Sequence, residues 1–453
     1  MSTLISGGTC RAFSLALLSL ATCAGLASAQ SRPTRPSRPA PSKPAEKKEE
    51  KKKDTKPDRF FAVHAGQVYT VSGGMLRDVT ILSKNGKIVA IGRDLELPEK
   101  TEVLDAKAYR VYPGLVAYNS FGLVGGNPAD STDVYSLEMA IGLSTGITTV
   151  GAGNVVAKLT WGTLEGHVIG PRETTIRLTI RSAQQRKKLR EALDQIVDYK
   201  RQAREYNAAR QRGEKPTALK PLKGKQALFA RLLAGQVWAY AKADSRAELA
   251  RLVELATHYG FRVMLEGGAE AWTMAPELSR AGFRVIVVPR SRRSENQSSN
   301  RATGWSIENA AILHKHGIPV TIMSKSAGIG LWGLAGSDLF TLPLEGAFAV
   351  RGGLPEAEAL KGLTLNPARF MGVEDRVGSI EVGKDCDLVV TRGDLLHYET
   401  LPEWTVVNGR VAYDKAKDSL LRHVRARDIQ GKNLDVPLLW PRTEAPREGM
   451  KGE

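Results

Sequence analysis

The residues of this chain best suited to hold a metal ion or move a proton near neutral pH are its seven histidines. Only one pair stands at ligand-like spacing. His314-Lys315-His316 reads His-x-His, but it ends a helix predicted over 306–316, directly before the β-branched run 318–322. His258 closes another predicted helix ahead of the run 261–265, where the helix dipole alone favours an imidazole. His64, His397 and His423 fall toward the chain ends. His167, in Glu165-Gly166-His167-Val168, is the remaining candidate, with packing as its default role. Other chemistries have less behind them. Gly125-Gly126-Asn127 and Gly328-Ile329-Gly330 open no phosphate-binding helix. Glu266-Gly267-Gly268 offers an anion only its backbone N–H groups.

The elements that would position such residues alternate. From Phe60 the chain reads as short β-branched strands, 68–71, 78–82 and 87–92, with Asn85-Gly86 between the last two as a hairpin turn. The same texture returns at 387–390 and 405–411, so a small sheet domain built from both ends is expected. Between them, helical patterns at 132–145, 183–206, 244–259, 273–281 and 306–316 alternate with strand-like runs at 147–150, 237–240, 261–265, 283–288 and 318–322. That alternation predicts an α/β fold with parallel strands and right-handed crossovers, a barrel or an open sheet.

Several motifs set in this frame resemble the imidazolonepropionase-like branch of the amidohydrolase superfamily. The most specific are Thr364-Leu365-Asn366-Pro367-Ala368-Arg369 and the run from Val377-Gly378-Ser379 through Gly383-Lys384-Asp385-Cys386-Asp387-Leu388-Val389-Val390. Tyr112-Pro113-Gly114-Leu115-Val116, Gly146-Ile147-Thr148-Thr149-Val150 and Gly353-Leu354-Pro355-Glu356-Ala357 also match, and the resemblance extends over about 60–415. It implies a (β/α)8 TIM-like barrel at 113–372 and a small β-sandwich domain composed of 59–112 and 373–440. It further implies one or two Zn²⁺ ions at the C-terminal ends of the barrel strands, activating water against an amide, lactam or ester carbon.

The ligand positions that the resemblance implies are occupied by other residues. Asn119 and Phe121 stand where the first strand carries its two histidines, and Ala117 where it carries Asp. Lys242 stands for the fifth-strand histidine. In Glu266-Gly267-Gly268, Gly267 replaces the sixth-strand histidine, and in Ser324-Lys325 a cation replaces the eighth-strand carboxylate. Phe has no lone pair, amide oxygen binds Zn²⁺ weakly, and protonated lysine repels a dication. No metal ligand, cofactor or confident catalytic residue is therefore expected. The barrel is expected to be a pseudoenzyme whose Lys242 and Lys325, near Glu266, replace the lost metal charge and favour a small anionic ligand. A rival expectation is an active hydrolase of C–N or C–O bonds with a rearranged or metal-free site and a lysine base or nucleophile.

The chain ends bear on location. Arg11, the apolar stretch 12–26 and Ala27-Ser28-Ala29 predict a signal peptide over 1–29, and so export; a lipid anchor through Cys23 is the lesser alternative. Cys10 and Cys23 fall inside that segment, leaving Cys386 without an intramolecular disulfide partner. Residues 30–58 read as a Pro/Lys-rich disordered linker and 441–453 as a disordered tail. The formal charge of +17 is strong, but no interleaving of basic and aromatic residues argues for nucleic-acid readout. No segment after the signal suits a transmembrane span. Expected partners are the anionic ligand and either further copies of the chain or an active homologue.

Overall fold

The computed structural model describes residues 57–418 and 421, apart from 126, 292, 299 and 331–335. The expected signal, nearly all of the linker, Cys23, His423 and the tail lie outside the described residues.

The two β-rich ends form one hydrogen-bonded sheet. Its N-terminal strands are β1 (Phe60–Tyr69), β2 (Met75–Lys84), β3 (Lys87–Gly92) and β4 (Glu102–Pro113). The strands that follow are β5 (Leu115–Ala117), β6 (Ile147–Ala152), β7 (Val155–Lys158), β8 (Val168–Pro171), β9 (Thr175–Leu178), β10 (Trp238–Ala243), β11 (Val263–Gly267), β12 (Arg284–Val287) and β13 (Val320–Ile322). The chain returns in β14 (Leu388–Thr391), β15 (Pro402–Val407) and β16 (Arg410–Asp414). The end sheet runs β16-β15-β14-β4-β1-β2-β3, with only the β1–β4 pair parallel. Asn85 and Gly86 take φ of 52° and 83°, the left-handed values that a two-residue hairpin needs, and Asn408-Gly409 repeats the device. Phe61, Val63 and Ala65 of β1, Ile81 of β2, Ile88 of β3, Leu388 of β14 and Val406 of β15 share one buried cluster, so the sheet curls over its own apolar face.

The middle of the chain is α/β. Strands β9 to β13 lie side by side in chain order, all parallel, and β5-β6-β7-β8 form a second sheet in which only β5 and β6 are parallel. The helix Arg246–Tyr259 shows why the crossovers form. A reciprocal Ser245/Glu248 capping box opens it, Leu249, Leu252, Leu255 and Ala256 bury one face, and left-handed Gly260 ends it. Ala239, Ala241 and Ala243 of β10 face such helices, while the alternate positions turn inward. Val116, Tyr118, Val156 and Ile169 from the shorter sheet meet Trp238, Met264, Ile286 and Met323 from the longer one in a common interior. Among the described residues no ladder joins β5 to β13 or β8 to β9.

Two buried charge clusters tie these parts together. The Lys158 ammonium, fully buried at the end of β7, lies 2.7 Å from Asp385 and donates to Asp387 Oδ1 at 3.0 Å and Asn408 Oδ1 at 2.6 Å. Arg376 binds the same Asp385 at 2.7 Å. Elsewhere Arg110 of β4 donates to Asp394 at 3.2 Å, and Asp394 is hydrogen-bonded in turn to Glu356. Burial, then the Asp394 charge, pushes the Glu356 carboxyl up to about 7, against the attraction of Arg110.

Lys158→Met leaves buried Asp387 without its cation and Asp385 with Arg376 alone, so urea unfolding at pH 7 should show a loss of about 3–5 kcal/mol. The deficit should shrink toward pH 4 as Asp387, whose carboxyl is already raised by burial, protonates. An equal deficit at both pH values would assign the effect to packing. For Glu356 the folded carboxyl holds its proton more tightly than the unfolded one. Its stabilising contribution is therefore complete below the unfolded value near 4.5 and is lost as pH rises through about 7. Glu356→Gln should flatten the fall in stability between pH 5 and 8, and an unchanged pH profile would refute that assignment.

Candidate functional site

The site is the mouth formed where β5, β10, β11 and β13 end. On β10 the side chains of Trp238, Tyr240 and Lys242 share the inward face, and the register pairs Tyr240 with Met264 and Lys242 with Glu266 of β11. Lys242 Nζ donates to Glu266 Oε1 at 3.0 Å, and the Tyr240 hydroxyl donates to the other carboxylate oxygen. Burial, helped by the Glu266 hydrogen bond and charge, raises the Tyr240 phenol, so it stays a donor. Glu266 is thus held by a cation and a phenol, and it is not a free general base.

On the facing side Tyr118 is buried just past β5, its ring stacked with that of Tyr240 at 6.4 Å between centroids. The Arg172 guanidinium, from the residue after β8, lies 4.0 Å over the Tyr118 ring and donates to Asn119 Oδ1 at 3.1 Å. Gly151 makes room for this crossing. A Cβ there would stand 2.2 Å from the Tyr118 carbonyl oxygen and 3.2 Å from Arg172 Nη1. The opposite end of the interior is filled by Arg284, stacked 4.0 Å over Trp238 and 5.3 Å over Phe370.

The residues singled out in the sequence do not all meet in one place. Asn119, Lys242 and Glu266 join the hydrogen-bonded mouth. Lys325 lies exposed on the loop after β13, with no ion pair among the described residues; that loop reaches the first strand's end through Phe121 N–H donating to the Ala327 carbonyl at 2.6 Å. Phe121 itself is 82 % exposed and offers nothing to the site. Gly267 is required by its backbone. Its φ is +98°, and a Cβ would fall 2.4 Å from Asp244 Oδ1. His167 is buried between the hydroxyls of Thr132 (3.0 Å) and Thr160 (3.2 Å), a packing role. Tyr118, Tyr240 and Arg172 were not legible as site residues. Tyr240 alone had a signal, at two residues before Lys242 on a predicted strand.

These donors do not fit a divalent metal. The one amide oxygen is engaged by Arg172, two positions are ammonium groups, and two have no donor atom. Among the described residues no group of three or more His, Cys, Asp or Glu is placed to hold an ion. What the arrangement can do is bind negative charge. Arg172, Lys242 and Lys325 stand on three elements around the mouth, where the Glu266 carboxylate is already paired with Lys242.

Known proteins are consistent with this fold. Residues 275–416 match the amidohydrolase family. A 34-residue stretch is 62 % identical to imidazolonepropionase from Shewanella baltica strain OS185, and to that of strain OS223, covering 8 % of this chain and 8 % of either enzyme. The crystal structure of an amidohydrolase from Thermotoga maritima MSB8 is similar over 78 % of this chain and 100 % of that one, with a TM-score of 0.59 and 22 % identity. That likeness is one of fold.

Placing a histidine at position 267 should be costly for a backbone reason. Gly267→Ala and Gly267→His should each lose roughly 1–3 kcal/mol in denaturant unfolding, from the left-handed φ and the crowding against Asp244. Wild-type stability in both variants would show that the strand end relaxes freely.

Proposed function

We propose that this chain, which carries an amidohydrolase-family domain, is a non-catalytic, exported member of that superfamily that binds a small anionic ligand at its mouth. The α/β fold is read as a (β/α)8 TIM-like barrel with a β-sandwich companion domain. The shared interior of the two sheets and the Thermotoga likeness support that reading. The observation that carries the function is the donor set. Where the resemblance calls for metal ligands, the mouth presents an Arg172-bound amide, the Lys242–Glu266 pair, Gly267 and exposed Lys325. A guanidinium stacked on an aromatic ring, with two ammonium groups nearby, suits a small carboxylate. The rival reading, a lysine nucleophile activated by burial, draws no support from Lys242 and Lys325, since both are exposed.

Two measurements test this. After incubation with Zn²⁺ and removal of the excess, elemental mass spectrometry should find less than about a tenth of an equivalent; a tightly held equivalent would return the chain to the metal-dependent hydrolases. In calorimetric titrations with small mono- and dicarboxylates, Lys325→Ala should weaken binding about 3–10-fold, the scale of one exposed charge contact near 1 kcal/mol. Unchanged affinity for every anion tried would remove the mouth as the binding site.

A further inference from the structure

The parallel ladder between β1 and β4 is broken at one place. Ala65 pairs with Ala106, but Gln67 pairs with Arg110, so β1 advances two residues while β4 advances four. Lys107, Ala108 and Tyr109 loop out as a wide bulge, and Gly66 is what lets them do so. A Cβ at position 66 would lie 2.0 Å from the Lys107 carbonyl oxygen. On the neighbouring strand Arg77 pairs with Gln67, and Asp78 takes a left-handed φ of 52°. Two departures from regular geometry thus meet at one spot. A bulge forfeits ladder hydrogen bonds and re-aims side chains, which makes it a candidate functional feature rather than a defect.

The bulge borders a concavity of about 300 Å³ whose lining includes four cationic residues, Arg77, Lys107, Arg110 and Arg392, against one carboxylate, Asp78. Arg110 is only 7 % exposed, and its Nε–H has no hydrogen-bond partner, although its Nη1 reaches Asp394. Arg392 is held by Glu403 at 3.4 Å and lies 5.7 Å over the Tyr109 ring. Arg77 and Lys107 are exposed and make no ion pair among the described residues. With Asp394 and Glu403 set against Arg110 and Arg392, the lining still carries more positive than negative charge.

From this juxtaposition we propose that the bulge is a second binding site, independent of the mouth, for a small phosphate-bearing molecule. Guanidinium forks match the tetrahedral oxyanion, the ammonium of Lys107 adds a flexible donor, and the volume suits a phosphate with a small attached body. The site requires the bulge, because a regular β4 would not gather Lys107, Tyr109 and Arg110 beside Gln67 and Arg77.

The test is calorimetric titration of the full chain with inorganic phosphate and with glycerol phosphate, with sodium chloride held constant. Saturable binding is expected, weakened about fivefold or more by Arg77→Ala and by Lys107→Ala, and unchanged by Lys325→Ala, which reports on the mouth. Both substituted side chains are exposed, so the variants should fold, and a matching far-ultraviolet spectrum and unfolding midpoint check this. Asp78→Asn, which keeps a residue tolerant of left-handed φ, should tighten binding by removing the opposing charge. Tighter binding of the ester than of free phosphate would identify a phosphomonoester as the ligand, and equal binding the free anion. Absence of saturation, or affinity that survives the Arg77→Ala/Lys107→Ala double substitution, would overturn the proposal. Loss of phosphate binding in Lys325→Ala alone would move the ligand to the mouth.

Discussion

The buried ammonium of Lys158 is the contact on which the rest of this molecule depends. It ends β7 in the α/β part, while its partners, Asp385, Asp387 and Asn408, belong to the returning chain that completes the end sheet. A lone buried charge of either sign costs several kcal/mol, so the cation and its carboxylates are tolerable only together. Asn408 N–H donates to Asp387 Oδ1 as well, at 2.9 Å, so the β15–β16 turn is fixed by the same group. Arg376 adds a second cation on Asp385 and donates to the Ile169 carbonyl of β8. The α/β part and the end sheet are thereby locked through ionic contacts whose geometry tolerates little displacement.

The fold does not rest on the residues of the mouth. The interior is held by Tyr118, Trp238, Met264, Ile286 and Phe370, and the crossover helices by an apolar cluster on the outer strand faces. Neither needs a metal. The mouth residues add a local network of their own: Arg172 fixes Asn119, and Tyr240 and Lys242 fix Glu266. Two of the mouth's cationic side chains, Arg172 and Lys242, are thereby held in hydrogen bonds.

Much of this architecture could be read from local chemistry. Asn-Gly at 85–86 forced a hairpin, the alternation from 237 to 322 forced parallel strands with helices between, and β10 falls where it was expected. The positions singled out in the sequence, Asn119, Lys242, Glu266 and Gly267, also fall at strand ends around one opening. What could not be read came from distant segments. Arg172 reaches Tyr118 only because β8 lies beside β7 and Gly151 leaves space between them, and no residue spacing encodes that approach. The bulge in β4 was equally hidden, since Lys107-Ala108-Tyr109 has no turn signature and the register shift exists only against β1. Gly267 read as a lost ligand, whereas in the fold it is first a residue with an obligatory left-handed backbone.

The backbone at Gly267 limits which side chains this strand end can carry. A histidine there would need a different strand end as well as a different side chain, because Asp244 Oδ1 already occupies the space and accepts the Ala269 N–H at 3.3 Å. Likewise a histidine at 119 would leave the Arg172 guanidinium facing an imidazole instead of an amide oxygen, and a carboxylate at 325 would compete with Glu266 for the cations of the mouth. Each position is now set by its neighbours. The present residues form a self-consistent mouth, and a set of metal ligands there would require several of them to change together.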